Sequence, residues 1–144
     1  MKLAVYTGSF DPITLGHLNV IERSSRITDK LIVGIGINAE KQGLFNPEER
    51  IALARRVTDH LQNVEVQSFE GLAVDFVESV GATVMIRGVR PMTDTAGEFT
   101  MMMANRKLNP DLETVFLMAD GQFAHVSSSL IKQLTPLATD QQLS

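Results

Sequence analysis

Short apolar, β-branched runs recur along the chain at Leu3–Tyr6, Leu31–Ile37, Val64–Phe69, Thr83–Ile86 and Thr114–Met118. Each is nearly continuous in apolar content, which is how strands covered on both faces read. Between them, apolar positions recur every three or four residues: Ile51, Ala54, Val57 and Leu61, then Leu72, Phe76 and Val80, then Phe99, Met102 and Met103. Helical patterns also follow Gly16-His17 and include Leu130, Ile131 and Leu134 near the end. Asn46 is placed to cap the second helix, with Pro47 at its first position and Glu49 three residues after the cap. Gly81 is expected to stop the third. This alternation predicts an α/β fold, a single Rossmann-like domain over 1–144 with a doubly wound, five-stranded parallel sheet and right-handed crossovers. Such sheets bind ligands beyond the carboxyl ends of their strands, where strand order reverses. The loops to read are therefore those after the first, second, fourth and fifth strands.

Composition narrows the chemistry. With 144 residues, 44% hydrophobic content and no cysteine, the chain can bury a core but offers no disulfide, thiolate metal site or thiol nucleophile. No apolar run reaches the length of a membrane span, and Met1–Val5 leads into a strand pattern rather than a signal peptide, so a cytoplasmic protein without a membrane partner is expected. A formal charge of −4 argues against nucleic acid as a partner but leaves small anions open, since a few local cations can hold a phosphate.

The first loop runs from Thr7 through Gly8-Ser9-Phe10-Asp11-Pro12-Ile13-Thr14-Leu15 to Gly16-His17. Gly8 is expected to let the backbone turn after the strand. Gly16 and His17 fall at a helix start, where amide groups and the dipole favour an anion; His17 either adds a donor to that anion or caps the helix. Arg87 and Arg90, read as following the fourth strand, form a phosphate clamp around Gly88 or make surface ion pairs. Ser127, Ser128 and Ser129 precede an apolar helix carrying Lys132; they cap it or offer hydroxyls and amides to a polyphosphate. A lysine such as Lys41, in a polar loop, is ordinarily solvated, and at least two of Met101, Met102 and Met103 are expected in the core. Gly34-Ile35-Gly36-Ile37-Asn38-Ala39 formally fits a dinucleotide fingerprint but lies inside a predicted strand. His60 is expected at a helix end, in a structural role. His17, His60 and His125 lack metal-ligand spacing.

Thr14-Leu15-Gly16-His17 resembles the (His/Thr)-x-Gly-His signature of the nucleotidyltransferase superfamily, and Val126-Ser127-Ser128-Ser129-Leu130-Ile131-Lys132 resembles its Ile-Ser-Ser-Ser-x-x-Lys/Arg signature. The set Gly8–Thr14, Leu44-Phe45 with Glu48-Glu49-Arg50, Arg87-Gly88-Val89-Arg90, Asn105-Arg106 and Glu113–Leu117 narrows the resemblance to the bacterial phosphopantetheine adenylyltransferases. The resemblance implies the nucleotidyltransferase fold and transfer of AMP from ATP to 4′-phosphopantetheine, without a covalent enzyme intermediate, in coenzyme A synthesis. It implies catalytic roles for His17, Lys41 and Arg90. Further ATP contacts would come from Ser9, Phe10, Gly88, Val89, Glu98, Phe123, Ala124, His125, Val126, Ser127, Ser128 and Ser129. Acceptor contacts would come from Ser9, Lys41, Ala73, Arg87, Met101 and Asn105. Mg²⁺ would be held mainly by the ATP phosphates rather than by protein side chains, coenzyme A would be a candidate inhibitor, and the assembly would be a homohexamer.

Three features depart from the family pattern. Pro91–Gly97 replaces the usual Ala-Val-x-Asp-Phe-Glu-Tyr, Gln133 replaces a Glu, and the stretch after Leu134 (about 135–144) lacks the usual Gly-Asp-Val-x-x-Phe-x-Pro segment. The alternatives are another small-molecule nucleotidyltransferase, such as one acting on nicotinamide mononucleotide, or a catalytically silent nucleotide-binding module.

Overall fold

The structure is a computed structural model that describes residues 2–38, 43–89 and 95–120. In chain order its elements are β1 (Leu3–Gly8), α1 (Leu15–Ile27), β2 (Lys30–Ile37), α2 (Pro47–Val57), β3 (Val64–Glu70), α3 (Ala73–Ser79), β4 (Val84–Val89), α4 (Thr95–Leu108) and β5 (Glu113–Met118). All strand pairings are parallel, in the order β3-β2-β1-β4-β5, so the doubly wound α/β architecture expected from the pattern is the one observed. Strand order reverses between β1 and β4. The expected final helix around Leu130 lies outside the described residues.

Period-two alternation sorts the core onto the two faces of the sheet. One face carries Ala4, Tyr6, Leu31, Val33, Ile35 and Ile86 against Leu18, Val20 and Ile21 of α1 and Ala54 and Val57 of α2. The other carries Val5, Ile32 and Met85 against Val74, Phe76 and Val77 of α3, with Leu112. On that second face Gly34 and Gly36 leave a slot for two stacked rings, Phe69 and Phe76, whose centroids lie 4.6 Å apart. A Cβ at Gly34 would come within 2.7 Å of the Phe76 ring. The Gly-x-Gly pattern of β2 therefore serves packing and opens no helix.

The local signals act where expected in two places. Asn46 and Glu49 exchange side-chain and backbone hydrogen bonds at 2.8 and 3.1 Å, with Pro47 at the helix start. Gly81, at φ +80°, closes α3 by donating to Glu78 while Ala82 donates to Val77, the paired bonds of a left-handed helix terminator.

Other expectations need correction. Strand β4 continues to Val89, pairing with Met118 of β5, so Arg87 and Gly88 sit within the strand rather than after it. Only the central strands are covered on both faces; β3 and β5, at the edges, are half exposed. Met101 and Met103 are 45% and 69% exposed, so α4 does not bury two of its three methionines among the described residues. Leu72 precedes α3 and is exposed, and His60 lies beyond the end of α2, 3.4 Å from Glu22.

Two predictions follow from this packing. Gly34→Ala overfills the aromatic slot and should lower stability by about 1–3 kcal/mol in denaturant titration. On the surface, Lys30 hydrogen-bonds Glu65 at 2.9 Å and holds its carboxyl below the usual value of 4.5. A depressed carboxyl stabilises the fold above its unfolded pKa and ceases to do so as pH falls through the folded one. The stability difference between wild type and Glu65→Gln, less than about 1 kcal/mol at neutral pH for so exposed a pair, should therefore fade as pH drops through the lowered carboxyl pKa of the folded state.

Candidate active site

Beyond the carboxyl ends of β1 and β4, where strand order reverses, the chain encloses a cleft of about 270 Å³. Tyr6, Thr7, Gly8, Ser9 and Phe10 line it from β1 and its loop, Thr14, Gly16, His17 and Val20 from the start of α1, Arg87, Gly88 and Val89 from β4, and Ala119 from the chain leaving β5. The structure thus brings together Ser9, Phe10, His17, Arg87, Gly88 and Val89 of the residues expected from sequence.

His17 is the third residue of α1, and its two sequence readings coincide. Thr14 Oγ1 accepts from the His17 backbone N–H at 3.1 Å, and His17 Nδ1 accepts from the Thr14 backbone N–H at 2.9 Å. An accepting Nδ1 places the proton of the neutral ring on Nε2, so the cap itself selects the tautomer. The ring is further held edge-on to Phe10 and Tyr6, at centroid distances of 4.9 and 6.4 Å. A rigid half-buried imidazole of fixed tautomer thus stands beside the first turn of a helix, where the backbone amides and dipole favour anions.

The turn before it differs from expectation. Gly8 is still in β1, and the left-handed residue is Phe10, at φ 45°. A non-glycine residue there is strained, and such strain persists only where surroundings over-determine it. Here the Phe10 ring, 1% exposed, packs against Tyr6 and His17. Gly8 matters for space instead: a Cβ would sit 3.1 Å from that ring. Asp11 follows, after which the bond to Pro12 is cis; the Asp11 carboxylate accepts from the amides of Leu44 and Phe45, both at 2.9 Å. That contact ties the first loop to the segment that leads into α2. Gly88 has a matching role across the cleft, since a Cβ there would meet Tyr6 Oη at 2.6 Å.

Arg87 reaches across the switch point rather than out to solvent. Its Nη1 donates to the carbonyl and hydroxyl oxygens of Thr7 at 2.7 and 3.1 Å, and its Nη2 donates to Glu98 at 3.1 Å; Nε is buried without a partner among the described residues. The Arg87–Glu98 pair, 22% and 19% exposed, joins β4 to the first turn of α4.

The remaining expected residues divide in two. Ala73 opens α3 against the second core face, Met101 is exposed on α4, and Asn105 is buried with its Nδ2 unpartnered; none lines the cleft. Lys41, Arg90, Phe123, Ala124, His125, Val126, Ser127, Ser128 and Ser129 lie outside the described residues. Sequence reading did not single out Tyr6, Val20, Ala119 or the Thr7 hydroxyl as part of the site, because an apolar strand or helix residue carries no signal of its own until the topology places it at a switch point. Nor did it single out Arg50, although Arg50, Ala54 and Val57 share one helical face and an arginine among buried residues is itself a signal.

The cytidylyltransferase-like family matches residues 5–134 of this chain. A phosphopantetheine adenylyltransferase of Rhodopirellula baltica is 69% identical over 137 residues, 95% of this chain and 76% of its own length. One from Clostridium botulinum (strain Eklund 17B / Type B) is 52% identical over 134 residues, covering 93% of this chain and 84% of that one. Among solved structures, one described as a nicotinate-nucleotide adenylyltransferase of Vibrio parahaemolyticus superposes with a TM-score of 0.71 at 16% identity, covering 100% of this chain and 94% of the other. A bifunctional NMN adenylyltransferase/ADP ribose pyrophosphatase of Francisella tularensis superposes at 0.66 with 14% identity, covering 99% of this chain and 44% of that one, a likeness of fold. Matched by the family over residues 5–134 and 52 to 69% identical to these curated relatives over 93 to 95% of its length, the chain belongs to the cytidylyltransferase-like family and, within it, to the phosphopantetheine adenylyltransferases.

Proposed function

We propose that this chain transfers AMP from ATP to 4′-phosphopantetheine, giving dephospho-coenzyme A and pyrophosphate. The observation that carries the reading is the Thr14-held imidazole of His17 on the wall of a switch-point cleft, in a chain 69% identical to a relative named for this activity. The acceptor is a phosphate, largely ionised at pH 7, so neither a strong general base nor a protein nucleophile is required. The task is to bring two anions into line and stabilise charge on the α-phosphate and the departing pyrophosphate.

The position of Ser9, Gly16, His17 and Arg87 on the cleft wall supports their roles, and the family resemblance supports the rest. His17 donates from Nε2 to the α-phosphate as its charge grows, and the first-turn amide of Gly16 adds to the same field. Ser9 and Arg87, with Lys41, hold the acceptor phosphate and steady the attacking oxygen. Glu98 fixes Arg87 beforehand, so its guanidinium arrives oriented rather than searching. By the family resemblance, Arg90 and Ser127–Ser129 take the β- and γ-phosphates. Mg²⁺ would travel on the phosphate oxygens and share their charge. Coenzyme A, which shares the pantetheine and adenosine diphosphate parts of the product, would compete for the same cleft. Assembly as a homohexamer is supported by exposed apolar side chains on α4 and β5, among them Phe99, Met103, Leu108 and Met118 at 48 to 69% exposure. A cytoplasmic location accompanies this reading; no helix among the described residues is long and apolar enough to cross a membrane.

Two measurements test the proposal. Pyrophosphate release with ATP and a panel of acceptors should be seen with 4′-phosphopantetheine; turnover of nicotinamide mononucleotide instead would assign a different transferase, and ATP binding without turnover of any acceptor would make the chain a nucleotide-binding module. His17→Ala should lower kcat by about 10²-fold or more while changing ATP affinity little. A large rise in KM at unchanged kcat would move His17 from transition-state to ground-state binding.

A further inference from the structure

Among the described residues, Arg50 is a charge without an ion-pair partner. It lies on α2 at 7% exposure, on the face that also buries Ala54 and Val57. Its Nη1 donates to the backbone carbonyl of Ser9 at 3.3 Å, and its Nε is buried with no partner among the described residues. None of the ion pairs among the described residues includes it. Among the described residues, two carboxylates close in sequence to Ser9 and Arg50 are engaged elsewhere: Asp11 with the amides of Leu44 and Phe45, Glu49 with the cap of α2. A guanidinium in such a position is costly, since burying a charge is tolerated only where an opposite charge or full hydrogen bonding offsets it.

Its one acceptor gives the cost a purpose. Ser9 and Phe10 line the cleft, whereas Arg50 does not. The carbonyl of Ser9 and the N–H of Phe10 belong to one planar trans peptide and point in opposite directions. Holding the carbonyl toward α2 therefore turns the Phe10 N–H away from Arg50, and no acceptor among the described residues takes it. The same peptide leads into the left-handed Phe10, whose strained conformation needs fixing from more than one side. Arg50 fixes the backbone of the turn as Tyr6 and His17 fix the ring of Phe10.

We propose that Arg50 is a positioning residue for phosphate binding at the Ser9–Phe10 turn. It acts in two ways: it orients the Ser9–Phe10 peptide as an anion-facing donor, and it sets behind that turn a positive charge, paired with no described carboxylate, which a bound phosphate dianion offsets. The proposal rests on the transferase reading for its substrates but is testable apart from it.

The test compares Arg50→Met and Arg50→Lys with wild type, each checked for folding by thermal unfolding. Steady-state kinetics are run with ATP and 4′-phosphopantetheine, and ATP binding is measured separately by calorimetry. Arg50→Met should remain folded yet lose roughly 10²-fold in kcat/KM, the scale of a small displacement of binding groups. Arg50→Lys, which keeps a donor and the charge, should recover most of that loss. ATP affinity should weaken in the Met variant and become less sensitive to salt, because a fixed charge has been removed. Kinetics within threefold of wild type, or a loss that Lys does not restore while Tm falls equally in both variants, would overturn the proposal. Should wild type itself fail to turn over 4′-phosphopantetheine, the transferase reading fails alone, and the ATP binding comparison decides the role of Arg50: unchanged affinity and salt dependence in the Met variant would reject it.

Discussion

The site depends on a reciprocal pair of hydrogen bonds between Thr14 and His17. They start α1, and with it the helix whose Leu18, Val20 and Ile21 cover one face of the sheet. They also set the orientation and tautomer of the ring that faces the cleft. One local motif thus serves stability and chemistry at once, which is economical but couples them: a residue that cannot accept from the Thr14 amide disturbs the helix start along with the donor. A cap made by a backbone-reading ring nitrogen needs no further shell of side chains to orient it, since the helix is its scaffold.

The other contacts around the cleft share this arrangement. Several residues that line the cleft are held from behind by a different element. Arg87 of β4 is held by Thr7 of β1 and Glu98 of α4, Ser9 by Arg50 of α2, and Phe10 by Tyr6 and His17. Transfer between two anions needs donors that do not reorganise as charge develops, and preorganisation of this kind supplies them. The switch point makes it feasible, because the chain leaves β1 toward β2 and β4 toward β5, on opposite sides, which leaves room for loops from both halves.

Much of the fold was legible because its signals were local and redundant. The five strands, the Asn46–Glu49 cap and the Gly81 stop each rest on periodicity or on the chemistry of one turn. The site was legible where residue types were unusual for their place, as with His17 beside Gly16. What escaped depended on pairing across the sheet. Strand β4 reads as ending at Ile86 because Arg and Gly weaken the apolar run, yet its ladder with β5 continues to Val89. Gly8 suggested the turn, but the left-handed residue is Phe10, whose strain only its ring contacts explain. The methionines of α4 read as core by period, while the helix packs so as to leave two of them outward. Arg50 carried a signal on its helical face that a reading focused on loops passed over.

The aromatic slot on the second sheet face extends this point. Gly34 and Gly36 in β2, Phe69 in β3 and Phe76 in α3 share one fixed volume, divided between two absent side chains and two large ones. None of the four can be enlarged or reduced independently, so these positions are free to vary only as a linked set. A pattern that in another setting would mark a cofactor loop is here the imprint of two stacked benzyl groups on the strand beneath them.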